Sequence, residues 1–568
     1  MKKEERPLVK IGVFLVGLLR RHAVSASVLL YTLGLLWVCL FPLVCITTGE
    51  SKCRGTYFSE NALGAGNARS SFASHHIVQG EAIGDVAAIG EVEEAMKQVI
   101  PNSRTHHSGA VYGILKPLVG ADRRESIIIV NHLYTSGLGL SLGISKALSD
   151  VTWLSKNVIL VEVSDERQLA AWIKDYYSES SDMVRGGTII GGIVLDFEKP
   201  DEGIDHVEID VAGIDGKLPN LDLVNLVIYI LNSKIRAPVT IGSNPLMDEK
   251  QRNKLSDTIM TLSKNITPLR RTSVKTYLSE MDNLIRFMRD VAFGNSGWHA
   301  YLLPYDIHSL TVKVHSNSKK SNKVQTEAMG EAVELIVRSI SNLSERFHQS
   351  YFLYLLPNLR KFVSIGEFFG PLLMVLSPSA ICLILILHTA SQESISGLLV
   401  AFLIFTSTLS FSLGVLRFVV PVLGTESILV MYIPSILAVV LLRRFECTSL
   451  ETLKVFLIFF SFIVHVMIGM FNFPFAFISA AFTTPLYALT CIQSRSSRLV
   501  RLVMILWCAF SANAFRAIPY LMPPDSGWTS YNEDPLVKAY DETGSFHLVY
   551  LVLVFWPAHI LCSIIIVV

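Results

Sequence analysis

Charge and cysteine are what this sequence has least of. Only 17% of its 568 residues are charged, and acids and bases nearly cancel at a net charge of +1. That balance excludes the broad basic footprint of a nucleic-acid-binding protein, so basic residues matter here by position. Of the cysteines, Cys39, Cys45, Cys382, Cys447, Cys491, Cys508 and Cys562 fall in or beside hydrophobic runs, where a thiol acts as a small packing residue. Cys53 alone lies in the more polar stretch, which excludes an internal disulfide framework there and leaves pairing with another chain open. Internal repeats and low-complexity tracts are also missing. What is abundant is apolar surface. With 51% hydrophobic residues and a positive mean hydropathy, the chain is too apolar for one soluble protein and suits a multi-pass membrane protein with one sizeable soluble domain.

The order of segments follows from where the apolar runs fall. Residues 1–22 carry Lys2, Lys3, Arg6, Lys10, Arg20 and Arg21 and read as a basic cytosolic N-terminus. Residues 23–48 form an apolar run longer than a signal-peptide core and without a clean small-x-small exit, which predicts a retained transmembrane anchor. Residues 49–343 read as a lumenal α/β domain, 344–366 as an interfacial joint, and 367–568 as a multi-span bundle. Further apolar runs centre near residues 378, 409, 434, 461, 482, 510 and 557, giving about eight spans in all. That count puts Arg443, Arg444 and Lys454, and then Arg495, Arg498 and Arg501, in cytosolic loops, as the positive-inside rule asks. The acidic loop with Asp525, Glu533, Asp534, Asp541 and Glu542 falls on the lumenal side. In the joint, Phe347, Tyr351, Phe352, Tyr354, Arg360 and Lys361 are of interfacial type. Pro357 is expected to end one helix before Phe362 starts another.

Within the α/β domain, short apolar runs alternate with amphipathic ones, which predicts a largely parallel sheet. Strands are expected at Ala110–Leu115, Ser126–Asn131, Asn157–Val163, Thr188–Phe197 and His206–Ala212. Helices are expected at Gly137–Leu148, Glu166–Tyr177, Leu221–Leu231, Asp248–Leu262, Leu278–Val291 and Thr326–Phe347. Ligands of such sheets bind beyond the carboxyl ends of the strands, so chemistry is sought after Asn131. Gly139-Leu-Ser141-Leu-Gly143 has the spacing of a nucleophile elbow, with Asp196 and His308 following. Its serine, however, falls on a helix and not on the tight turn that a nucleophile needs.

A second pattern resembles the zinc aminopeptidases. His132-Leu133-Tyr134 stands where such enzymes have His-x-Asp, Asp165-Glu166 where they have paired acids, Asp196 where a later acid lies, and His308 where a last ligand would fall. Yet no carboxylate occurs between Tyr134 and Leu148 to bridge two metal ions, and Tyr134 replaces the acid that would orient the histidine. The expectation is an aminopeptidase-like domain with its metal set lost, although residual metal near His132 and Asp165 stays open.

Several longer stretches then carry a family resemblance. They are Arg54-Gly-Thr-Tyr-Phe-Ser-Glu-Asn-Ala-Leu63, Val111-Tyr-Gly-Ile-Leu115, Gly216-Lys-Leu-Pro-Asn-Leu-Asp-Leu-Val-Asn-Leu226, His348 to Pro357 with Arg360 to Gly366, and Asn472-Phe-Pro-Phe-Ala-Phe477. Together they resemble the GPI-anchor attachment subunits, the Gaa family, of the GPI transamidase complex. The resemblance implies an endoplasmic-reticulum membrane protein that helps recruit and present the GPI lipid for attachment to proproteins. It implies a separate caspase-like subunit that supplies the catalytic cysteine, and neither catalytic residues nor a cofactor in this chain. The rival enzyme reading is a membrane-anchored zinc aminopeptidase; a transporter lacks support, because no matched pair of broken helices is evident.

The residues add candidate lipid contacts. By the predicted topology Arg417 and Arg516 reach the lumenal headgroup level, with Asn513 one turn from Arg516, and guanidinium groups suit phosphate. Snorkelling to bulk headgroups is the simpler role for the same arginines. Asn472 and Pro557 complete the candidate set, the proline because it frees a carbonyl and kinks its helix. His465, inside a span, is expected to be a packed or helix-bridging residue and not a proton relay. Asn265 and Asn342 head glycosylation sequons that fit a lumenal placement.

Overall fold

The computed structural model describes residues 7–47, 69–73, 75–76, 79, 89–119, 124–132, 137–179, 182–197, 204–234, 238–242, 249–263, 271–294, 297–316, 326–348, 350–390, 395–423, 450–492 and 535–567. The chain divides into two compact units, one within residues 42–364 and one that joins the first helix to residues from 365 onward. That helix, α1 (Pro7–Thr47), opens the chain.

The first unit is built on an eight-stranded sheet. In chain order come α2 (Ile89–Val99), β1 (Arg104–Thr105), β2 (Val111–Leu115), β3 (Glu125–His132), α3 (Gly137–Ser149), β4 (Asn157–Val163), α4 (Glu166–Tyr177), β5 (Thr188–Phe197) and β6 (Ile204–Asp210). There follow α5 (Leu221–Lys234), β7 (Val239–Ile241), α6 (Glu249–Ser263), α7 (Arg271–Phe293), β8 (His308–Ser316) and α8 (Thr326–Ser341). The spatial order is β1-β2-β4-β3-β5-β8-β6-β7. The centre, β4-β3-β5-β8, is parallel, and antiparallel pairs flank it at β2–β4 and β6–β8.

This arrangement follows from runs such as Asn157-Val-Ile-Leu-Val-Glu-Val163, too apolar on both faces for a sheet with one wet side. Alternation sends Ile128, Val130, Ile159, Val161 and Val163 to the face covered by α4, where they pack against Leu169, Trp172 and Tyr176. Helices α3 and α8 pack together over β3 and β5 on the other face. Strands β3 and β5 approach so closely that a Cβ at Gly192 would sit 2.0 Å from the Ile128 carbonyl oxygen, and only glycine fits there.

Strands β4 and β5 and helix α4 begin and end where the sequence predicts. The joint does not. The helix expected to reach Phe347 stops at Ser341, and β9 (Tyr354–Asn358) and β10 (Lys361–Ser364) form an antiparallel hairpin where two helices were expected to meet. Asn358 decides this locally: its Oδ1 accepts the Arg360 N–H at 2.7 Å, which closes a tight turn. Pro357 is harmless in a two-stranded ribbon because it need not donate on its outer side. The hairpin docks on α7 through Lys361 Nζ, which donates to both Glu280 oxygens at 2.7 and 2.9 Å, and on Pro219 through the Tyr354 hydroxyl. Strand β8 was also unexpected, although His308 to Ser316 alternates with the period of a strand.

The second unit is helical. After α1 it contains α9 (Ile365–Ala390), α10 (Ile395–Gly414), α11 (Leu450–Gly469), α12 (Phe473–Ile492), α13 (Pro535–Thr543), α14 (Phe546–Tyr550) and α15 (Trp556–Val567). Helix α10 runs on through a π-helical turn, Val415–Val419, and a second π turn, Leu551–Phe555, links α14 to α15. Among the described residues, four stretches are long and apolar enough to cross a membrane: Arg21–Leu43, Ile365–Leu387, Leu399–Leu423 and Glu451–Gly469. Phe473–Ala488 and Phe546–Cys562 are apolar and shorter. The runs expected near 434 and 510 lie outside the described residues. Helix α1 packs tightly on α9, because a Cβ at Gly34 would meet the Pro371 carbonyl oxygen at 2.9 Å, and Tyr31 OH donates to the Ala481 carbonyl of α12 at 2.6 Å.

Candidate functional site

The carboxyl edge of the parallel strands is the first candidate site, because β3 and β4 end side by side there and α4 starts beside them. Asn131 and Glu162 are register partners one residue before the strand ends. Glu162 is fully buried, accepts from Asn131 Nδ2 at 2.8 Å, and lies 2.6 Å from Ser141 Oγ on α3. Both of these partners are uncharged. Burial pushes the carboxyl up to about 7, against the downward pull of the serine and the asparagine. The protonated form fits the geometry: the Glu162 O–H donates to Ser141 Oγ, and the serine hydroxyl donates to the Leu138 carbonyl at 2.9 Å.

This triad excludes the nucleophile elbow, since Ser141 is buried on a helix and bonded to a carboxyl of the core. It also shows what the sequence reading overlooked. The acid in the core of this edge is Glu162, and its signal was a lone carboxylate inside an otherwise apolar strand.

The other aminopeptidase positions do not converge as a ligand set. His132 Nε2 lies 3.1 Å from the Ser164 carbonyl oxygen, and its ring meets Trp298 edge-on at 4.8 Å between centroids. Asp165 is the N-cap of α4, its Oδ1 accepting the Gln168 N–H at 2.8 Å, and Glu166 occupies the first turn. Asp196 pairs in register with Lys313 near the end of β5. His308 corrects the expectation most clearly. It starts β8 at the level of Gly191 and therefore of Ile127, five residues short of His132, or about 16 Å along the sheet. Burial lowers the His308 imidazole, and its ring packs on Phe347 and Phe352. The buried histidine near this edge is instead His299, beside Trp298. Its Nδ1 lies 2.9 Å from Thr311 Oγ1, and burial pushes it down to about 3. Tyr134 lies outside the described residues.

Of the candidate lipid contacts, Arg417 sits in the π turn after α10 and is exposed, next to Phe418 at 76% exposure. Asn472 is fully buried and caps α12, its Oδ1 accepting the Phe475 N–H at 3.1 Å, so the amide serves the helix start. Pro557 is buried two residues after the second π turn. Asn513 and Arg516 lie outside the described residues, as do Cys53 and Asn265. Asn342 is exposed just past the end of α8. His465 bridges helices as expected. Its Nδ1 donates to the Ser461 carbonyl at 2.7 Å, and its Nε2 faces the Tyr550 hydroxyl at 3.0 Å. Ser461 in turn donates to Tyr487 OH at 2.9 Å, so α11, α12 and α14 share one neutral polar cluster.

Comparison with known proteins gives a consistent assignment. A family model described as "Gaa1-like, GPI transamidase component" matches residues 107–397, half of the chain. GPI transamidase component GAA1 of Saccharomyces cerevisiae is 29% identical over 364 residues, covering 60% of this chain and 54% of that protein. GPI transamidase component gaa1 of Schizosaccharomyces pombe is 23% identical over 296 residues, covering 49% of this chain and 46% of that protein. The chain thus spans about half the length of the curated relatives it matches. Among solved structures, the Legionella pneumophila LapA aminopeptidase aligns with 12% identity and a TM-score of 0.29 over 51% of this chain and 76% of its own, a likeness too slight to argue from.

Proposed function

Since the chain belongs to the Gaa1-like family of GPI transamidase components, we propose that it is a non-catalytic subunit of that complex, which recruits and presents the GPI lipid while another, caspase-like subunit supplies the catalytic cysteine. The observation that carries this reading is the extent of the family match, which runs through most of the α/β unit and all of α9 to the start of α10. The geometry adds support. His132, Asp165 and His308 are engaged in a carbonyl contact, a helix cap and an aromatic cluster, so the rival aminopeptidase reading finds no assembled ligand set in them. In this proposal the α/β unit is lumenal, the N-terminus cytosolic and the protein resident in the endoplasmic-reticulum membrane. Arg417 and Arg516, with Asn513, bind the lipid's phosphodiester at the lumenal headgroup level.

Depletion of the chain in its own cells tests the first claim. A GPI-anchored reporter should accumulate as uncleaved proprotein, and re-expression of the full chain should restore processing. The purified chain should release no amino acid from aminoacyl chromophores. Unchanged reporter processing, or chelator-sensitive aminopeptidase activity, would overturn the proposal.

A further inference from the structure

The turn between β1 and β2 brings two adjacent histidines against the last turn of α4. His106 Nε2 lies 3.2 Å and His107 Nε2 lies 3.4 Å from the same oxygen, Asp175 Oδ2. All three ligand atoms fall within 4.8 Å of one another. Two ligands on a tetrahedral zinc ion, with bonds of about 2.0–2.2 Å, are separated by roughly 3.3–3.5 Å. Both observed spacings therefore match an edge of such a polyhedron, as well as a hydrogen bond.

The supports on each side are rigid. The turn is closed by His106 N–H on the Ala110 carbonyl at 2.7 Å and by Gly109 N–H on the His106 carbonyl at 2.9 Å. Gly109 adopts a φ of +95°, which favours glycine. Helix α4 is fixed by Trp172 in the core and by Tyr176 OH on the Gly187 carbonyl at 2.7 Å.

The surroundings of His106 suit a metal ligand. Its Nδ1 is 2.8 Å from Ser108 Oγ, and that hydroxyl donates to the Gln168 carbonyl at 3.3 Å. When Nδ1 carries the proton it donates along this relay, and the Nε2 lone pair is left facing Asp175 and His107. The longer contact from Ser108 N–H to Nδ1, 3.3 Å, belongs to the other tautomer, in which Nε2–H donates to Asp175. The side chains border a cavity of about 440 Å³ that Arg104 and Asp182 also line, so the added positive and negative charges offset.

We propose that His106, His107 and Asp175 form a binding site for a divalent cation of the zinc class, with three protein ligands and a fourth position open to the cavity. Imidazole and carboxylate together select this class over calcium and magnesium, which prefer all-oxygen shells. The site stands apart from the residues weighed as aminopeptidase ligands: Asp175 is in the last turn of α4, whereas Asp165 caps the first. It does not depend on the function proposed above.

The test is zinc titration of the full chain, purified in detergent without a histidine tag and stripped with a chelator, using a chromophoric competitor for zinc. One equivalent should bind with a dissociation constant on the order of micromolar. His107→Ala and Asp175→Asn should each weaken that binding by at least about ten-fold, while His132→Ala leaves it unchanged. The His107 side chain is 73% exposed, so its removal leaves the fold intact, and circular dichroism of the variant should match the parent. Cobalt in place of zinc should give a visible absorption band that His107→Ala abolishes. Equal zinc uptake by the parent and His107→Ala would show that the contacts are hydrogen bonds only and overturn the proposal, as would absence of saturable uptake by the parent.

Discussion

The two units bury polar groups by different chemistry. In the α/β unit, several buried acids meet basic side chains: Lys313 lies 2.8 Å from Asp210, His315 lies 3.1 Å from Glu208, and Lys361 lies 2.7 Å from Glu280. In the long apolar helices, the buried polar side chains among the described residues are neutral or polarisable types such as Ser412, Ser461, His465, Ser479, Thr483 and Thr484. Lys454 is the exception, and it pairs with Glu451 at 2.8 Å in the first turn of α11. Ser412, His465, Ser479 and Thr483 lean on backbone carbonyls of their own helices, as Thr483 Oγ1 does on Ser479 at 2.9 Å. The contrast teaches that a partner charge suffices where water is near, whereas in hydrocarbon the unpaired state is so costly that groups able to bond their own helix are preferred. Glu162 and Glu334 break the pattern from the soluble side: both are buried in the α/β unit, the first bonded to Asn131 and Ser141, the second accepting from Ser70 Oγ and the Ser71 and Phe72 N–H groups.

The largest expected effect comes from bringing Glu162 into line. Its folded value of about 7 lies above the ordinary 4.5, so the native state holds the proton more tightly than the unfolded chain does. That contribution to stability is fully present below pH 4.5 and is lost as pH rises through 7, a change of about 3 kcal/mol. Glu162→Gln reproduces the protonated form, with its amide donating to Ser141, and should remove this slope. Denaturation followed by tryptophan fluorescence at pH 5 and pH 8 should give nearly equal stabilities for the variant and a marked fall for the parent. Parallel profiles would show that Glu162 is ionised throughout.

A second effect tests whether a charge in the helical unit faces a ligand and not a protein partner. Arg417→Leu and Arg516→Leu should each lower recovery of co-purified GPI lipid by tens-fold, corresponding to a loss on the order of 2 kcal/mol, with the complex still assembling. Lysine should rescue only in part, since it keeps the charge without the fork. Normal lipid recovery in both leucine variants would make them bulk-headgroup anchors.

The smallest effect sharpens the comparison from the helical side. A double-mutant cycle of His465→Leu and Tyr550→Phe, read by thermal inactivation in detergent, should give a coupling of about 0.6 kcal/mol. A coupling several times larger would mean that the neutral cluster carries far more of the bundle than its geometry implies.

What the sequence made legible was set by periodicity. Thr188–Phe197 and Asn157–Val163 are unbroken apolar runs with turn signals at both ends, and Glu166–Tyr177 has an acidic cap before an amphipathic stripe, so their limits were readable. The joint misled because its aromatics and basic pair fit an interfacial helix as well as a hairpin. The deciding feature was one Asn358 side chain folding back on its own backbone. Neighbour relations between strands were not readable: nothing local says that β2 runs antiparallel beside β4, or that β8 inserts between β5 and β6. At the sheet edge the paired acids Asp165-Glu166 drew attention, while Glu162, three residues earlier, was concealed by the strand that buries it. His308 was assigned to the wrong end of the sheet because residue order alone does not say where along a strand a side chain lies.

The two π turns have a shared origin with a geometric outcome. Each ends two residues before a proline, Pro421 or Pro557, whose missing N–H leaves the carbonyl four residues back without its usual donor. The helix responds by reaching one residue further, Val420 N–H to the Val415 carbonyl and Trp556 N–H to the Leu551 carbonyl. In angular terms this is a surplus residue, and each residue turns an α-helix by about 100°. The sides of these helices before and after the wide turn are therefore out of phase. A single apolar stripe cannot run the length of either one, and each can present one side to lipid in its first part and a different side in its second.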